Sequence, residues 1–331
     1  MATQSSFVPR TPINYSTRVD QVGPRARLGR SVRIVVVLIV AVIMLIPIIW
    51  MGMTAFKSRP DAVAVPPKVL FTPTVEGFVS LFTKTRQLTA EQLKEYQGRT
   101  DLNWADQIML SRGQVIIGVS EYPRRFLNSL IIASVSTIFS VSLGLLSAYS
   151  FSRFNIPGAG DLLFFILSTR MLPPVVVTIP VFLMYRAVGL YDRHLGMIIL
   201  YTVFNLSFSV WLLKGFLDEI PREYEEAALV DGYTRLQAFR KIVLPQAVTG
   251  IAATTVFCLI FAWNEYAFAL MLTGDVARTA PPSIPSALGV GGIDWALIAA
   301  GSMGFLIPVV IVTFALRKYL LRGVTFGAIR K

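Results

Sequence analysis

The sequence predicts an all-α polytopic membrane protein, and three observations carry that prediction. Of 331 residues, 54% are hydrophobic and only 15% are charged, against about 25% charged in a soluble domain, and the mean hydropathy is +0.62. The apolar residues are gathered into charge-free runs long enough to cross a bilayer, for which a helix needs about 20. The basic residues, which bring the net charge to +12, fall between those runs and mostly on one side. In a soluble chain that charge would point to nucleic acid; in an apolar one it marks cytoplasmic loops, so no nucleic-acid partner is expected. One cysteine (Cys258) and one histidine (His194) exclude a disulfide framework and any zinc site built from several such ligands.

Residues 1–31 mix Ser, Thr, Pro and Arg with little periodicity and read as a cytoplasmic tail near the anionic inner leaflet. Residues 32–56 form the first span, charge-free over Ile34–Phe56. It is too long for a signal-peptide core and has no cleavage signal close behind, so it is expected to stay as a helix. Residues 57–125 make an external segment with Pro66, Pro67 and Pro73, then a polar stretch Leu88–Asp106 that reads as a short surface helix rather than part of a separate domain.

A five-helix core follows over 126–316: Phe126–Ser152, about Asp161–Tyr185, His194–Leu213, Ile242–Asn264 and Trp295–Leu316, which makes six spans with the first. Arg170 interrupts the third span, and Pro173, Pro174 and Pro180 would bend or break it, as a gate or as a static kink. The charge-free run Ala280–Ile293 is short, carries Pro281, Pro282, Pro285 and a Gly289–Gly292 cluster, and reads as a loop or re-entrant turn. Residues 317–331 form a second cytoplasmic tail.

With the N-terminus inside, the cytoplasmic side holds Arg10, Arg18, Arg25, Arg27, Arg30, Arg33, Arg153, Lys214, Arg222, Arg235, Arg240, Lys241, Arg317, Lys318, Arg322, Arg330 and Lys331. The short outside loops hold only Arg186, Arg193 and Arg278. Both termini are therefore expected in the cytoplasm, and most of the positive charge is a topology signal.

The most informative stretch outside the spans is 214–246. Pro221 suits the first turn of a helix, Glu223, Glu225 and Glu226 complement its dipole, and Gly232 is its natural stop. Thr234 can cap a second helix with Leu236, Phe239 and Val243 at i, i+3 and i+7, and Pro245 marks the junction with the next span. Ala227 and Ala228 are small enough for a partner's surface to approach closely. From spacing alone, this angled elbow is either a docking site or a capped loop that links two spans.

Glu226-Ala227-Ala228, three residues, Gly232, nine residues and then Ile242-Val243-Leu244-Pro245 resembles the EAA loop of membrane subunits of ABC importers. The flanking chain is similar to the carbohydrate-uptake branch, the maltose-transporter type with six spans. The similar stretches are Phe126-Leu127-Asn128-Ser129-Leu130, Met171-Leu172-Pro173-Pro174 with Ile179-Pro180, and Trp263-Asn264-Glu265-Tyr266. The resemblance covers about Tyr122 to the C-terminus.

It implies a coupling helix that fits a cleft in a cytoplasmic ATPase, with Glu225, Glu226, Ala227, Ala228, Asp231 and Gly232 making or shaping the contact. Ile242, Leu244 and Pro245 would hold the elbow against the spans. It further implies a multi-pass protein of the bacterial inner membrane that pairs with a second related permease, an ATPase dimer and an external or periplasmic solute-binding protein, for uptake of a sugar or polyol. Tyr233 stands where a small residue is common, and the outside segment around Thr83–Ser120 is longer than usual, which points to an extra contact with an external partner.

The chain holds no Gly-x4-Gly-Lys-Ser/Thr phosphate loop, so ATP and Mg are expected to be used by the partner ATPase, with no cofactor bound by this chain. Polar groups inside spans are candidates for a translocation path. Glu265 would line the path or pair with a basic group of a neighbouring helix. Asn205, in mid-span near Tyr201 and Phe204, is the better pathway candidate, and Asn264 lies beside Glu265. Asn128 reads as a cap or helix contact, His194 as interfacial and Cys258 as a small buried hydrophobe. Ion-driven secondary transport, a membrane enzyme and a structural anchor are the readings from other classes; neither clustered nucleophiles nor metal ligands support the enzyme.

Overall fold

A computed structural model describes residues 24–99, 101–284, 288–289 and 292–326. Arg10, Arg18, Pro285, Gly291, Arg330 and Lys331 lie outside them. The chain divides into two units, 1–50 and 51–331. The first unit contains most of helix α1 (Pro24–Ala55), whose side chains from Val32 to Trp50 are all exposed. Hydrophobic residues exposed around a whole helix belong in lipid or against another membrane protein. The helix begins at Pro24, so it reaches back into the predicted tail; Pro at the first helical position gives up only an amide that has no intrahelical partner there.

In the second unit, α2 (Arg59–Ala62) and α3 (Glu76–Phe82) lead to strand β1 (Thr83–Gln87), α4 (Ala90–Gln97), α5 (Trp104–Ser111) and β2 (Gln114–Val119). The two strands pair antiparallel. The predicted single surface helix over Leu88–Asp106 is in fact two, because two capping boxes, Thr89 with Gln92 and Asn103 with Asp106, start separate helices. Leu88, Leu110 and Val115 form a small core of their own beneath them.

The spans follow as α6 (Tyr122–Arg153), α7 (Ala159–Ser168), α8 (Pro174–Ala187) and α9 (His194–Asp218). The elbow is α10 (Glu223–Val230), α11 (Arg235–Ala238), a π turn Phe239–Val243 and α12 (Leu244–Gln246). Last come α13 (Val248–Trp263), α14 (Ala267–Leu272), the short strands β3 (Leu288–Gly289) and β4 (Gly292–Ile293), and α15 (Trp295–Phe326). The final helix runs ten residues past the predicted end of its span at Leu316.

Among the described residues, four helices are long and apolar enough to cross a membrane unbroken, and the count reaches six when each of two bent pairs is taken as one span. The third predicted span is one of these pairs: α7 and α8 meet at 91°. The residue before a proline is driven out of the helical region, and Leu172 and Pro173 have extended ψ values of 126° and 129° before Pro174 opens the new helix. The fifth predicted span does not start at Ile242. The chain bends by 73° between Gln246 and Val248, and the straight part is only Val248–Trp263. The π turn and Pro245 spoil the regular hydrogen-bond ladder just before that bend.

The long helices α6 and α9 pack closely. The buried face of α6 is a stripe of Ser129, Ala133, Ser136, Ser140, Gly144, Ala148 and Ser152, small residues three or four apart. A methyl group added at Gly144 would lie 2.5 Å from Ser209 Cβ. Helices in lipid gain little from apolar contact with each other as such, and small residues let their backbones approach. Gly250 does the same for α13, where an added methyl would lie 2.5 Å from the Phe216 ring. Two hydrophobic clusters fill the remaining space. One, around Tyr201, Trp263 and Phe268, joins α6, α8, α9, α13 and α14; the other, around Leu213, Leu217 and Val243, joins α6, α9, α13 and the elbow.

Candidate functional site

The elbow folds as its residues dictate. Helix α10 ends in a left-handed Gly232 at φ +86°. The Tyr233 N–H donates to the Ala228 carbonyl at 3.0 Å and the Gly232 N–H to the Leu229 carbonyl at 3.1 Å, which closes the helix end without a side chain. Thr234 and Gln237 form the capping box of α11. The two faces of α10 then differ sharply. Glu226, Ala227, Val230, Asp231 and Gly232 are exposed, as are Glu223 and Tyr224, whereas Glu225 and Ala228 are buried. Glu225 and Ala228 therefore do not offer a contact surface; they mount the helix. Adjacent helix residues point about 100° apart, which lets Glu225 turn inward while Glu226 stays exposed.

The mount is ionic. The Tyr149 hydroxyl donates to Glu225 Oε1 and Arg153 Nε donates to Glu225 Oε2, both at 2.5 Å. Arg153 Nη2 also donates to the Ile220 carbonyl at 3.0 Å, and Arg222 Nη2 to the Ser152 carbonyl at 2.5 Å. Below α10, the residues that anchor the second arm are Ala238, Phe239 and Val243. Of the three predicted anchors, Ile242 and Leu244 are half-buried and Pro245 is exposed. Leu236 is also exposed, so of the predicted stripe only Phe239 and Val243 face inward.

A second assembly lies between the bent helices. A cavity of about 220 Å³ is lined by Arg170, Tyr201, Phe204, Asn205, Phe261, Glu265 and Phe268, among others. Asn205 is buried and donates its amide to the Cys258 carbonyl at 3.1 Å, which leaves its side-chain oxygen as an acceptor. Glu265 has neither of the two expected roles alone: it accepts from the Tyr201 hydroxyl at 2.7 Å and from the Phe268 and Ala269 N–H groups at 2.8 and 3.0 Å. Its carboxylate thus caps the start of α14 while one edge faces the cavity. Asn264 does not line the cavity. It is exposed, and its amide turns back to the Ile260 carbonyl at 2.8 Å.

Arg170 stands at the break between α7 and α8 with its guanidinium 4.1 Å from the Phe261 ring centre and 5.1 Å from that of Phe208. Cation–aromatic contacts of this kind lower the cost of a charge in an apolar region. The interrupting charge was legible in the sequence, but Phe208 and Phe261 were not, since aromatics in a span carry no sign of which face they take.

At the end of α6 away from the elbow, Asn128, expected to be a cap or a helix contact, ties α6 to the loop after α14 and to the first residue of α9. Its amide donates to the Val276 and Arg278 carbonyls at 2.9 and 3.0 Å, and its oxygen lies 2.8 Å from His194 Nε2. Beside it, Asp192 adopts φ +54° and collects four backbone N–H groups from Gly274, Asp275, Val276 and Ala277 at 2.8–3.1 Å. Partial burial pushes this carboxyl up, but the four N–H donors outweigh it and hold it below the ordinary 3.8. Nothing in Tyr191-Asp192-Arg193 marked that role in advance.

A carboxyl whose folded value is depressed contributes stability above its unfolded value and loses it as pH falls through the folded one. Asp192→Asn is therefore expected to lower the Tm in detergent by an amount that stays constant from pH 8 down to about 5 and shrinks only below about 4. Thermal unfolding of both forms across that range checks it; a gap that closes near pH 7 would assign the stabilisation to another group.

Residues 140–326 match the family model of the binding-protein-dependent transport system inner membrane component. That is more than half of the chain. The protein belongs to this family. The matched region begins inside α6 and takes in the cavity, the elbow and α15, so both assemblies lie within it. The inner membrane component is 35% identical over 62% of its length to the trehalose transport system permease protein SugB of Mycobacterium tuberculosis, covering 76% of that protein. It is 29% identical over 92% of its length to the trehalose/maltose transport system permease protein MalG of Thermococcus litoralis, covering 98% of it. Among solved structures, a bacterial ABC transporter that imports the acidic polysaccharide alginate superposes with a TM-score of 0.62 at 21% identity, covering 89% of this chain and 98% of that one. That likeness is one of fold. The family and its apolar helices make the protein a multi-pass integral protein of the inner membrane.

Proposed function

We propose that this chain is the permease subunit of an ATP-driven ABC importer for a sugar or polyol. It supplies half of the translocation path and couples to an ATPase through 221–245. The observation that carries the reading is the two-faced α10: an outward face of Glu226, Ala227, Asp231 and Gly232 that is left exposed among the described residues, over an inward face fixed by Glu225 and Ala228. A merely linking loop has no use for a rigid mount under an open small-residue surface. Sugar-transport names among the relatives, matched over 76% and 98% of their own lengths, support the solute class.

The cavity supports a shared path. At about 220 Å³ it is below the roughly 300–1,000 Å³ of pockets that enclose a drug-sized ligand, so a second, related permease would complete it. Tyr201, Asn205 and Glu265 with the rings of Phe204 and Phe261 suit a polyol: rings stack on carbon faces while polar atoms meet hydroxyls. Asn264 is not part of that proposal. ATP and Mg act in a cytoplasmic ATPase dimer, solute arrives from an external binding protein, and both termini lie in the cytoplasm. An ion-driven secondary carrier would need no docking elbow. Purification through a tag on this chain, after co-expression with the neighbouring subunits, tests the assembly. An ATPase recovered in stoichiometric yield is expected; a chain that purifies alone in mild detergent contradicts it.

A further inference from the structure

We propose that Arg153 is the positioning residue that makes α6 the output of the coupling helix. Displacement of α10 then reaches the far end of the molecule through α6 rather than only through the chain connections on either side of the elbow. The inference rests on the reading of α10 as an ATPase contact and adds a route to it.

Arg153 is the last residue of α6, and its side chain is only 6% exposed. It holds two other elements at once, the Glu225 carboxylate on α10 and the Ile220 carbonyl just past α9. Tyr149, one turn earlier on α6, grips the other Glu225 oxygen, and its ring lies 4.7 Å from that of Phe239 in the second arm of the elbow. Ser152 ties the same helix end to Asp218 on α9 at 2.6 Å, where Lys214 also pairs. With the small-residue stripe of α6 seated on α9, these contacts join α6, α9 and α10 into one block. The alternative route from α10 into α13 passes through the π turn and the 73° bend, where a push is absorbed by rotation.

A helix of 32 residues spans about 48 Å, so α6 reaches from the elbow to the opposite end of the fold. There Asn128 and Ser129 hold the segment that follows α14, through the Val276 and Arg278 carbonyls and the Ala280 N–H. Helix α14 in turn carries the Glu265 cap at the cavity. One rod thus links the proposed ATPase face to the wall of the path.

The test uses the full complex in liposomes and needs no solute. Leu172 lines the cavity and is 51% exposed, while Cys258 is the sole native cysteine and is buried. Leu172→Cys therefore provides a reporter thiol for a maleimide, and its labelling rate is compared with and without ATP and vanadate. The parent complex is expected to change its rate on trapping. Glu225→Gln is expected to keep the ATPase bound and hydrolysing but to reduce that change at least about tenfold. The pair Glu225→Arg with Arg153→Glu is expected to restore it, which would tie the effect to this ion pair, and unchanged ATPase binding and hydrolysis in Glu225→Gln separate it from loss of fold. Should Glu225→Gln fail to insert, Arg153→Lys, which keeps the charge but not the two-way reach, carries the same expectation.

A Glu225→Gln complex whose labelling responds like the parent overturns the route through α6. A parent complex that binds no ATPase, or shows no change on trapping, overturns instead the coupling reading on which it rests.

Discussion

Glu226→Arg is expected to strip the ATPase from the purified complex while the permease remains folded. Glu226 is exposed on the open face of α10, one residue from the buried Glu225 that mounts the helix. If Glu226 meets a basic group of the proposed ATPase partner, reversing its charge breaks that pair, and close charge pairs at interfaces cost about 2–5 kcal/mol when broken. Each 1.4 kcal/mol is about tenfold in affinity, so ATPase recovery should fall about 30-fold or more, with an unchanged Tm for the permease alone. Equal recovery from parent and variant would remove the open face of α10 from the docking surface. The contrast with Glu225 sharpens the test: neighbouring glutamates in one short helix should give loss of assembly in one case and loss of transmission in the other.

Gly144→Leu is expected to collapse the packing of the spans. The methyl of an alanine would already lie 2.5 Å from Ser209 Cβ and 3.3 Å from the Val210 backbone nitrogen. Those atoms belong to the facing helix and cannot rotate away, so α6 and α9 must separate along the stripe that holds them. Overpacking a tight site costs about 1–3 kcal/mol and more where backbone opposes it. The expected outcome is a permease that elutes aggregated or melts at least several degrees below the parent. Gly215→Ala, where an added methyl meets nothing within 4 Å, should melt with the parent. Parent-like melting of Gly144→Leu would mean that the two helices do not approach as closely as described.

The sequence made some of these features plain and concealed others for physical reasons. The runs at Phe126–Ser152 and His194–Leu213 were legible because a span must exclude charge over its whole length, and both appear as continuous helices. Pro173 and Pro174 announced the break in the third span, since a missing amide shows in the residue type itself. The bend before Val248 was hidden, because a π turn leaves no compositional trace and Pro245 looked like an ordinary junction.

The elbow's outline was readable from Pro221, Gly232 and Thr234, whose roles depend on local backbone chemistry. Which glutamate faces inward was not, because that choice is made by Arg153 and Tyr149, more than 70 residues away in the chain. A lone arginine closing a charge-free run, with an acidic patch elsewhere on the same predicted side, was the available signal. Asn264 was grouped with Glu265 because the two are adjacent in sequence, but its amide turns back to the Ile260 carbonyl and it does not line the cavity. Asp192 drew no notice since a carboxylate in a polar loop is the common case, and only the fold gathers four amides around it.

ATP-dependent uptake into proteoliposomes bears most directly on the proposal that this chain is the membrane half of an ATP-driven importer. The complex purified through this chain would be reconstituted, and labelled trehalose, maltose and a panel of polyols followed with and without internal ATP, in the presence of ionophores that abolish ion gradients. The predicted result is uptake of at least one of these solutes that requires ATP and survives the ionophores. Uptake that continues without ATP and vanishes when the ion gradient is collapsed would contradict it.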